Sequence, residues 1–309
     1  MEKDDMKFDI INLSVNQADC FLIILETNQN KRITILVDGN KKNTNISDIK
    51  NEIYIFGKLD FIVVTHVDDD HLGGIIKLLN DASNEVLKDT KIIYNHIVKK
   101  IISYKQAKQF EDIIEGRDII NSYKNSYDSY EFMDILSMED RKLCVDIGIE
   151  DRAFLTFINP EGADINKVYN NCKKVLSGEK KRENSKLINR NSIVFMLEFN
   201  DKKALFTGDS TWKYIQKSLD SIFLKDEEND INLIKIPHHG AYDNNIGLSD
   251  YAQKHKTEKF LVTGGQEWDK NHPSEKLILE IKDKCNNAKI NTFVEIPETN
   301  VIHDRSISL

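Results

Sequence analysis

Metal-binding residue types are concentrated in one short stretch of the chain, Thr65–Gly74. Two imidazoles and three carboxylates fall within six consecutive positions there, from His66 to His71. Such nitrogen and oxygen donors are the ligands that divalent metal ions take in proteins. Three neighbouring carboxylates also repel one another unless a cation or solvent compensates them. The stretch therefore predicts a site for divalent metal ions.

Two later segments end an apolar run in residues of the same kind. The run at 204–206 leads through Thr-Gly to Asp209, and the run at 233–236 leads through a proline to His238 and His239. Short apolar runs of this kind indicate buried strands. A carboxylate at Asp209 would bridge two ions, and an imidazole from His238 or His239 would complete the coordination of one.

The composition limits which classes of function are compatible with the chain. It has 309 residues, of which 40% are hydrophobic, and a formal net charge of −8. An acidic chain argues against an architectural nucleic-acid-binding protein, although a metal-dependent nuclease brings its own positive charge. The four cysteines are scattered without a Cys-x-x-Cys pair, so we expect reduced thiols and no disulfide framework.

No targeting or membrane signal is evident in the sequence. The first seven residues are polar and acidic, unlike the basic start and apolar centre of a signal peptide. No run approaches the roughly 18 apolar residues of a membrane-spanning helix. We therefore expect a cytoplasmic protein that does not enter the membrane.

Strand and helix patterns alternate along the chain and predict one α/β domain over residues 1–309. The range of about 83–150 is charged and tyrosine-rich, and it predicts a mostly helical insertion. A polar loop is expected at 177–189. Strands are expected at 8–15, 20–26, 32–38, 60–65, 154–158, 192–199, 203–207, 231–236 and 259–263. Helices are expected at 72–79, 104–119, 163–176, 211–219, 249–255 and 274–282.

The order of these motifs resembles the metallo-β-lactamase superfamily. That family has the signature His-x-His-x-Asp-His, followed by a His, an Asp and a final His. In this chain Asp68 stands where the signature has its second His. The replacement resembles the branch of the ComEC hydrolase domain, but the motifs cover no membrane channel, so no transport function is implied. Further segments resemble that branch: Val15–Cys20, Leu36–Gly39, Asn191-Ser192, Lys235–Gly240 and Asn271–Ser274.

The resemblance implies an αββα sandwich with two metal ions at one edge of the sheets. His66 and Asp68 would hold one ion, and Asp70 and His71 the other. Asp209 would bridge the two ions, with His238 or His239 joining the second. Without metal, the neighbouring carboxylates would make the Asp209 position repulsive.

One imidazole of the wider family has no counterpart in this chain. No histidine lies between His96 and His238, and Asn189 or Asn191 occupies the corresponding region. We expect two divalent ions, Zn²⁺ or Mn²⁺, with Mg²⁺ as an alternative. Because an amide oxygen is a weaker ligand than imidazole, the first site is oxygen-rich and is expected to prefer Mn²⁺ or Mg²⁺ over Zn²⁺. Asn191 and Lys235 are predicted to contact substrate.

The predicted site implies hydrolysis by a hydroxide held between two ions, because a metal-bound water has a pKa near 7. Asp70 would orient the nucleophile, and His272 would protonate the leaving group. The predicted substrate is a phosphodiester, most of all a nucleic acid. A basic and aromatic group in the insertion would grip it: Tyr94, Lys99, Lys100, Tyr104, Lys105 and Lys108.

Two alternatives remain open from the sequence. One is a hydrolase of a small phosphoester, carboxylic ester or lactone. The other is a non-catalytic partner protein with a vestigial site. Basic residues along the site would favour the nuclease, whereas an enclosed apolar pocket would favour the small ester. The oligomeric state does not follow from the sequence.

Overall fold

The chain forms two seven-stranded sheets, seen in a computed structural model. The structure describes residues 6–15, 17–81, 84–94, 105–115, 119–120, 141–147, 151–180, 184–223, 230–264, 272–292 and 305–309. The first sheet contains β1 (Lys7–Asn12), β2 (Phe21–Glu26), β3 (Arg32–Val37), β4 (Phe61–Val64), β5 (Lys91–Tyr94), β6 (Ile119–Ile120) and β14 (Ser306–Ser308). The second contains β7 (Lys142–Asp146), β8 (Arg152–Asn159), β9 (Val194–Phe199), β10 (Lys202–Phe206), β11 (Leu233–Lys235), β12 (Lys259–Leu261) and β13 (Lys289–Asn291).

The two sheets share one pairing pattern. In the first, the strand order is β14-β1-β2-β3-β4-β5-β6, antiparallel as far as β3 and parallel beyond it. In the second, the order is β13-β12-β11-β10-β9-β8-β7, parallel from β13 to β10 and antiparallel from there to β7. Each sheet therefore has one parallel half, whose strands end at a common edge.

The described helices are α1 (Ser47–Phe56), α2 (Asp69–Asp81), α3 (Asn84–Leu87), α4 (Lys105–Ile114), α5 (Gly162–Leu176), α6 (Ser185–Arg190), α7 (Trp212–Ile222), α8 (Leu248–Lys254) and α9 (Glu275–Lys284). Several show an apolar stripe at helical spacing. In α1 the buried residues Ile49 and Ile53 lie one turn apart. In α7 Trp212 and Ile215 are buried on one face. Such a stripe must be covered by a sheet or another helix.

Three apolar cores separate four layers: helices, the first sheet, the second sheet and helices. The middle core contains residues from both sheets, and the rings of Phe21 in β2 and Phe206 in β10 lie 6.1 Å apart across it. A second core joins the outer face of the first sheet to α1, α2 and α4. A third joins the outer face of the second sheet to α7, α8 and α9. The expected αββα sandwich is confirmed.

The range of 83–150 is built differently from the expected helical insertion. Its described part holds α3 and α4, but also β5 and β6, which continue the parallel half of the first sheet. It also holds β7, the edge strand of the second sheet. The described part of this range therefore contributes strands to both sheets, because short runs such as Lys91–Tyr94 are buried on the sheet despite their polar surroundings.

The parallel half of each sheet brings polar residues to one edge. Asp38 follows β3, Thr65 follows β4, Asp209 follows β10, and Thr263 follows β12 at the carboxyl ends of these strands. Open α/β sheets place their ligands at this end, because the loops there leave a crevice between the helices. Among the described residues, none of the helices combines the length and the apolar character needed to cross a membrane.

The start of α2 packs directly against the turn after β3. The N–H of Gly74 donates to the carbonyl of Asn40 at 2.9 Å, and the N–H of Gly39 donates to the carbonyl of His71 at 2.8 Å. A Cβ placed on Gly74 would lie 1.5 Å from the carbonyl oxygen of Gly39. The position therefore requires glycine, since no side chain fits between these two backbones.

We expect Gly74→Ala to destabilise the protein by about 3 kcal/mol, because overpacking forces the two backbones apart. The same change inside a helix ordinarily stabilises by up to about 1 kcal/mol through helix propensity. Urea denaturation of both proteins measures the difference. Asp81→Ala at the exposed end of α2 is the control and should shift the free energy by no more than about 0.5 kcal/mol. A stabilised Gly74→Ala variant would contradict this packing.

Candidate metal centre

The carboxylate of Asp209 lies at the centre of the candidate site. It follows β10, and its N–H donates to the hydroxyl of Ser192 at 3.1 Å. One oxygen, Oδ1, lies 3.3 Å from His71 Nε2. The other, Oδ2, lies 3.4 Å from His239 Nε2 and 3.0 Å from His238 Nδ1. The structure thus brings together residues from three separate strand ends around one buried carboxylate.

His66 and His71 approach the same carboxylate from the first sheet. His66 lies in the loop after β4, and His71 lies in the first turn of α2, where their ring centroids are 4.0 Å apart. Ligand atoms of His66, His71 and Asp209 all lie within 4.8 Å of one another, and all three residues are buried. Asp68 Oδ2 lies 3.8 Å from His66 Nε2, and Asp70 Oδ2 lies 3.5 Å from His239 Nε2.

Buried atoms without a hydrogen-bond partner show that this site fits a cation. Four of those found among the described residues belong to the centre: His66 Nε2, His71 Nε2, His239 Nε2 and Asp209 Oδ1. A buried polar atom with no partner costs about 1–3 kcal/mol. Four such atoms around one carboxylate are satisfied together by metal coordination, since imidazole nitrogen and carboxylate oxygen are both metal ligands. The residues present therefore fit the metal ions that the sequence predicts.

The two oxygens of Asp209 lie near different imidazoles. His71 lies with His66 on the Oδ1 side of Asp209. The resemblance implies that His71 and Asp70 hold the same ion, and that division of the ligands stays a prediction. His239 lies on the Oδ2 side, next to Asp70. The two oxygens of Asp209 thus face two different sets of donors, which is compatible with a carboxylate that bridges two ions. The number of ions stays a prediction.

Imidazoles outweigh the expected repulsion around Asp209. That repulsion is present at Asp68, whose pKa is raised by burial, by the charge of Asp70 and also by the charge of Asp209. Burial alone would raise the pKa of the Asp209 carboxyl, but His239 and His71 hold it well below its ordinary value. The same pairing shifts the pKa of the imidazoles in the opposite direction. Burial lowers the pKa of His71 and His239, yet Asp209 raises both well above 6.5. The nearest groups to Asp209 are imidazoles rather than carboxylates, so its burial is compensated.

The remaining donors differ in how burial affects them. Burial, together with the nearby charge of Asp70, raises the pKa of Asp68 to about 6. Burial would also raise the pKa of Asp70, but the neighbouring His239, whose Nε2 lies 3.5 Å from Oδ2, and the charge of His71 lower it to about 2. Burial and the neighbouring His71 lower the pKa of His66 to about 3. His66 is therefore neutral at pH 7, the form that binds a metal ion.

The turn that carries the paired histidines has an unusual backbone. His238 and His239 both have positive φ, at 46° and 51°, which non-glycine residues rarely adopt. This conformation points the two imidazoles to different neighbours. His238 is the more exposed of the two and lies 3.1 Å from the side-chain amide of Asn189. With its oxygen toward His238, the amide nitrogen of Asn189 lies 3.1 Å from Asp68 Oδ2.

His272 lies near this open side. Its ring centroid is 5.8 Å from that of His238, and the side chain is half-buried. The position is close enough to the centre for the predicted role in protonating a leaving group. That role stays a prediction.

Two predicted substrate contacts occupy positions that do not suit substrate binding. Lys235 is fully buried, with Nζ 2.5 Å from Asp19 Oδ2 and 3.0 Å from the carbonyl of Gly208. Asn191 is also buried, at the end of α6. Tyr94, expected to grip nucleic acid, is buried against Phe110 with ring centroids 5.0 Å apart. Their burial leaves these three side chains little surface that a substrate could contact.

The other members of the expected nucleic-acid grip lie outside what the structure describes. Residues 95–104 and the side chains at 105 and 108 lie outside the described part of the chain. The members concerned are Lys99, Lys100, Tyr104, Lys105 and Lys108. Their contribution to substrate binding stays a prediction from the sequence.

Several buried residues behind the site were given little weight from the sequence. Asp38 Oδ2 lies 2.7 Å from His71 Nδ1, and Thr65 donates to Asp38 through both its N–H and its hydroxyl. Asp19 accepts from the hydroxyl of Thr263 at 2.6 Å. The position of Asp38 directly after an apolar strand was a sequence signal for a role at the site. Thr263 had no such signal in the sequence.

A second group has the composition of a metal site, namely Asp19, His71 and His239. It does not fit a metal ion, because the ammonium of Lys235 already lies 2.5 Å from Asp19 Oδ2. Burial would raise the pKa of Asp19, but Lys235 and His71 hold it well below its ordinary value. The positive charge that this group needs is supplied by a side chain.

No model of a known protein family matches the sequence, and no curated protein matches it. Among solved structures, the chain is similar to the metallo-β-lactamase-fold protein YhfI from Bacillus subtilis. The identity is 11%, over 92% of this chain and 96% of that chain, with a TM-score of 0.49. A long form of RNase Z from yeast is similar at 12% identity, over 99% of this chain and 40% of that chain, with a TM-score of 0.44.

The flavodiiron protein from Giardia intestinalis is also similar. Its identity is 12%, over 65% of this chain and 37% of that chain, with a TM-score of 0.31. At such identities and TM-scores, similarity carries no information about reaction or substrate, and one fold serves many chemistries. The ComEC-like branch stays a prediction from the sequence motifs.

We expect Asp209→Asn to lower the stability of the metal-free protein by about 3 kcal/mol near pH 5–6, because it breaks buried charge pairs. The depressed pKa of Asp209 makes its contribution present above 3.8 and lost as the pH falls below it. The raised pKa values of His71 and His239 make theirs present below 6.5 and lost at higher pH.

The difference between parent and variant should therefore be largest between these limits and shrink on both sides. Urea denaturation in the presence of chelator, repeated at several pH values, measures it. A difference that does not change with pH would mean that Asp209 is not paired with ionised histidines.

Proposed function

We propose that this protein is a metal-dependent hydrolase and that its substrate is a phosphodiester. One observation carries the proposal: buried metal-ligand atoms of four residues converge without hydrogen-bond partners. If these residues only stabilised the fold, we would expect their buried atoms to be paired by hydrogen bonds within the protein. Retention of so many donors also argues against a non-catalytic partner protein.

The protein's own residues divide into those that would hold metal and those that would face substrate. His66, His71, His239 and Asp209 would hold the ions, with Asp68 and Asp70 beside them. Divalent ions bound there would act as Lewis acids and lower the pKa of a bound water to near 7. The deep burial of the imidazoles keeps bulk water from competing for these positions.

The side of the centre that is open to solvent is where a substrate would enter. The side chains of Asp68, Asp70 and His238 are 34%, 26% and 27% exposed, whereas His66, His71 and Asp209 are nearly fully buried. Asp70 would orient the attacking water. His272, near His238 on this side, would hold the proton that the leaving oxygen takes.

A phosphodiester is favoured by the oxygen donors of the centre and by the imidazoles on its open side. Asp68, Asp70 and Asp209 supply oxygen donors, which suit the hard ions Mn²⁺ and Mg²⁺ that commonly assist phosphoryl transfer. His238 and His272 offer imidazole N–H groups to an anionic oxygen. The alternative, a small phosphoester, carboxylic ester or lactone, would use the same centre.

We expect chelator-treated protein to be inactive on bis(p-nitrophenyl) phosphate and to regain activity with Mn²⁺. Asp209→Asn should lower kcat by at least about a thousandfold, because it removes charge from the centre. Release of p-nitrophenol, with p-nitrophenyl phosphate, p-nitrophenyl acetate and a lactone as parallel substrates, measures the preference. Faster turnover of the acetate or the lactone would shift the proposal to the small-ester alternative. Full activity in excess chelator would refute a metal-dependent reaction.

The nucleic-acid version of the proposal makes a separate prediction. Replacing Lys99, Lys100, Lys105 and Lys108 with Glu should raise KM for single-stranded DNA or RNA about tenfold or more, through lost phosphate contacts. Hydrolysis of bis(p-nitrophenyl) phosphate should not change, because the metal centre is untouched. Cleavage of nucleic acid should also fall steeply with salt. Salt-insensitive cleavage, or equal effects on both substrates, would exclude the insertion from substrate binding.

A further inference from the structure

Two imidazoles at the candidate centre are held from behind in matching ways. His71 Nδ1 lies 2.7 Å from Asp38 Oδ2, and Thr65 donates its hydroxyl proton to the same oxygen at 2.7 Å. The carboxylate fixes the proton of His71 on Nδ1. When the two imidazoles are neutral, as metal binding requires, the lone pair of His71 is therefore on Nε2, the atom that faces Asp209.

His239 is held by a corresponding pair, Thr263 after β12 of the second sheet and Asp19 before β2 of the first. Its Nδ1 lies 2.9 Å from the hydroxyl oxygen of Thr263, and that hydroxyl donates to Asp19 Oδ1 at 2.6 Å. Because the Thr263 hydroxyl donates its proton to Asp19, the hydroxyl oxygen of Thr263 accepts a hydrogen bond from His239 Nδ1–H. The lone pair of His239 is then on Nε2, which also faces Asp209. An Asp–Thr pair thus supports each imidazole, and each threonine follows a parallel strand of its own sheet.

The two supports differ in what compensates the carboxylate. Asp38 accepts a backbone N–H from Thr65 at 2.8 Å, whereas Asp19 pairs with the ammonium of Lys235 at 2.5 Å. Lys235 also donates to the carbonyl of Gly208, the residue before Asp209, at 3.0 Å. The backbone N–H of Asp19 donates to the carbonyl of Asp70 at 3.1 Å. The Asp19–Lys235 pair therefore joins the first sheet, where Asp19 precedes β2, to β11 of the second, beside the turns that carry Asp70 and Asp209.

We infer that Asp19, Thr263 and Lys235 form a positioning unit that aims His239 Nε2 at the metal centre, as Asp38 and Thr65 aim His71. The unit touches neither metal nor substrate. It acts by fixing the tautomer and direction of one imidazole, with Lys235 as the internal cation that keeps the buried Asp19 charge paired. This inference deepens the proposed function and rests on the metal centre that it assumes.

Metal affinity is the property that tests the unit, because a merely structural role would change stability alone. Thr263→Val removes one hydroxyl at nearly constant volume. We expect it to weaken binding of at least one ion by about 10- to 100-fold. Chelator-stripped full-length protein is titrated with Mn²⁺ by calorimetry, and Co²⁺ absorption spectra report the ligand geometry. Thr90→Val is the matched control. The buried Thr90 hydroxyl donates to the Leu59 carbonyl at 2.7 Å, and both residues precede strands of the first sheet, at the end away from the metal centre.

The ion pair is tested with a second set of variants. Asp19→Asn alone removes the nearer carboxylate of the buried Lys235 ammonium, leaving Asp209 Oδ1 at 3.8 Å, so this variant should be less stable than the parent. The double variant Asp19→Asn with Lys235→Met removes both charges and should recover stability. It should still bind Mn²⁺ about tenfold or more weakly than the parent, because His239 has lost its support.

The possible outcomes separate this inference from the proposed function. If the parent binds no divalent ion, the metal centre and the positioning unit both fail. If the parent binds Mn²⁺ and hydrolyses its substrate, but Thr263→Val and the double variant bind Mn²⁺ as tightly with unchanged Co²⁺ spectra, only the positioning unit is refuted. Equal weakening by Thr263→Val and Thr90→Val would also refute it.

Discussion

The pairing of the Asp209 carboxylate with imidazoles from both sheets is the interaction on which the rest of the site depends. A buried carboxylate costs several kcal/mol unless it is compensated, and Asp209 is compensated by His71 and His239. These histidines lie on different sheets, one in α2 beside β4 and one after β11. The site therefore forms only when the two sheets face each other in the correct register, so the middle core and the centre stabilise one another.

The general architecture and most of the donors were predictable from the sequence because they follow local patterns. Apolar runs ended at carboxylates and histidines, and strands at 192–199 and 203–207 were expected and form the antiparallel pair β9 and β10. The loop expected at 177–189 is wrong in part, because the end of this polar stretch belongs to the helix α6. Strand β5 was missed because four residues in a charged segment give too weak an alternation to recognise.

The contacts behind the site could not be predicted because they join residues far apart in the chain. Thr263 donates to Asp19 across 244 positions, and Asp38 meets His71 across 33. Neither pair has a local spacing rule. The burial of Lys235 was equally hidden, since a lysine between two isoleucines suggests an exposed position on one face of a strand. Only the parallel order of β10, β11 and β12 places its ammonium beside Asp19.

The common pairing pattern of the two sheets gives the centre its balance of rigid and open parts. Each sheet turns from antiparallel to parallel pairing, and the parallel half of each delivers a threonine and one supported imidazole. The groups that these supports do not reach, Asp68 and His238, are also the more exposed ones. Rigid donors hold their geometry before an ion arrives, whereas exposed donors can adjust to a substrate. The paired histidines His238 and His239, both with positive φ, lie at the boundary between these two parts.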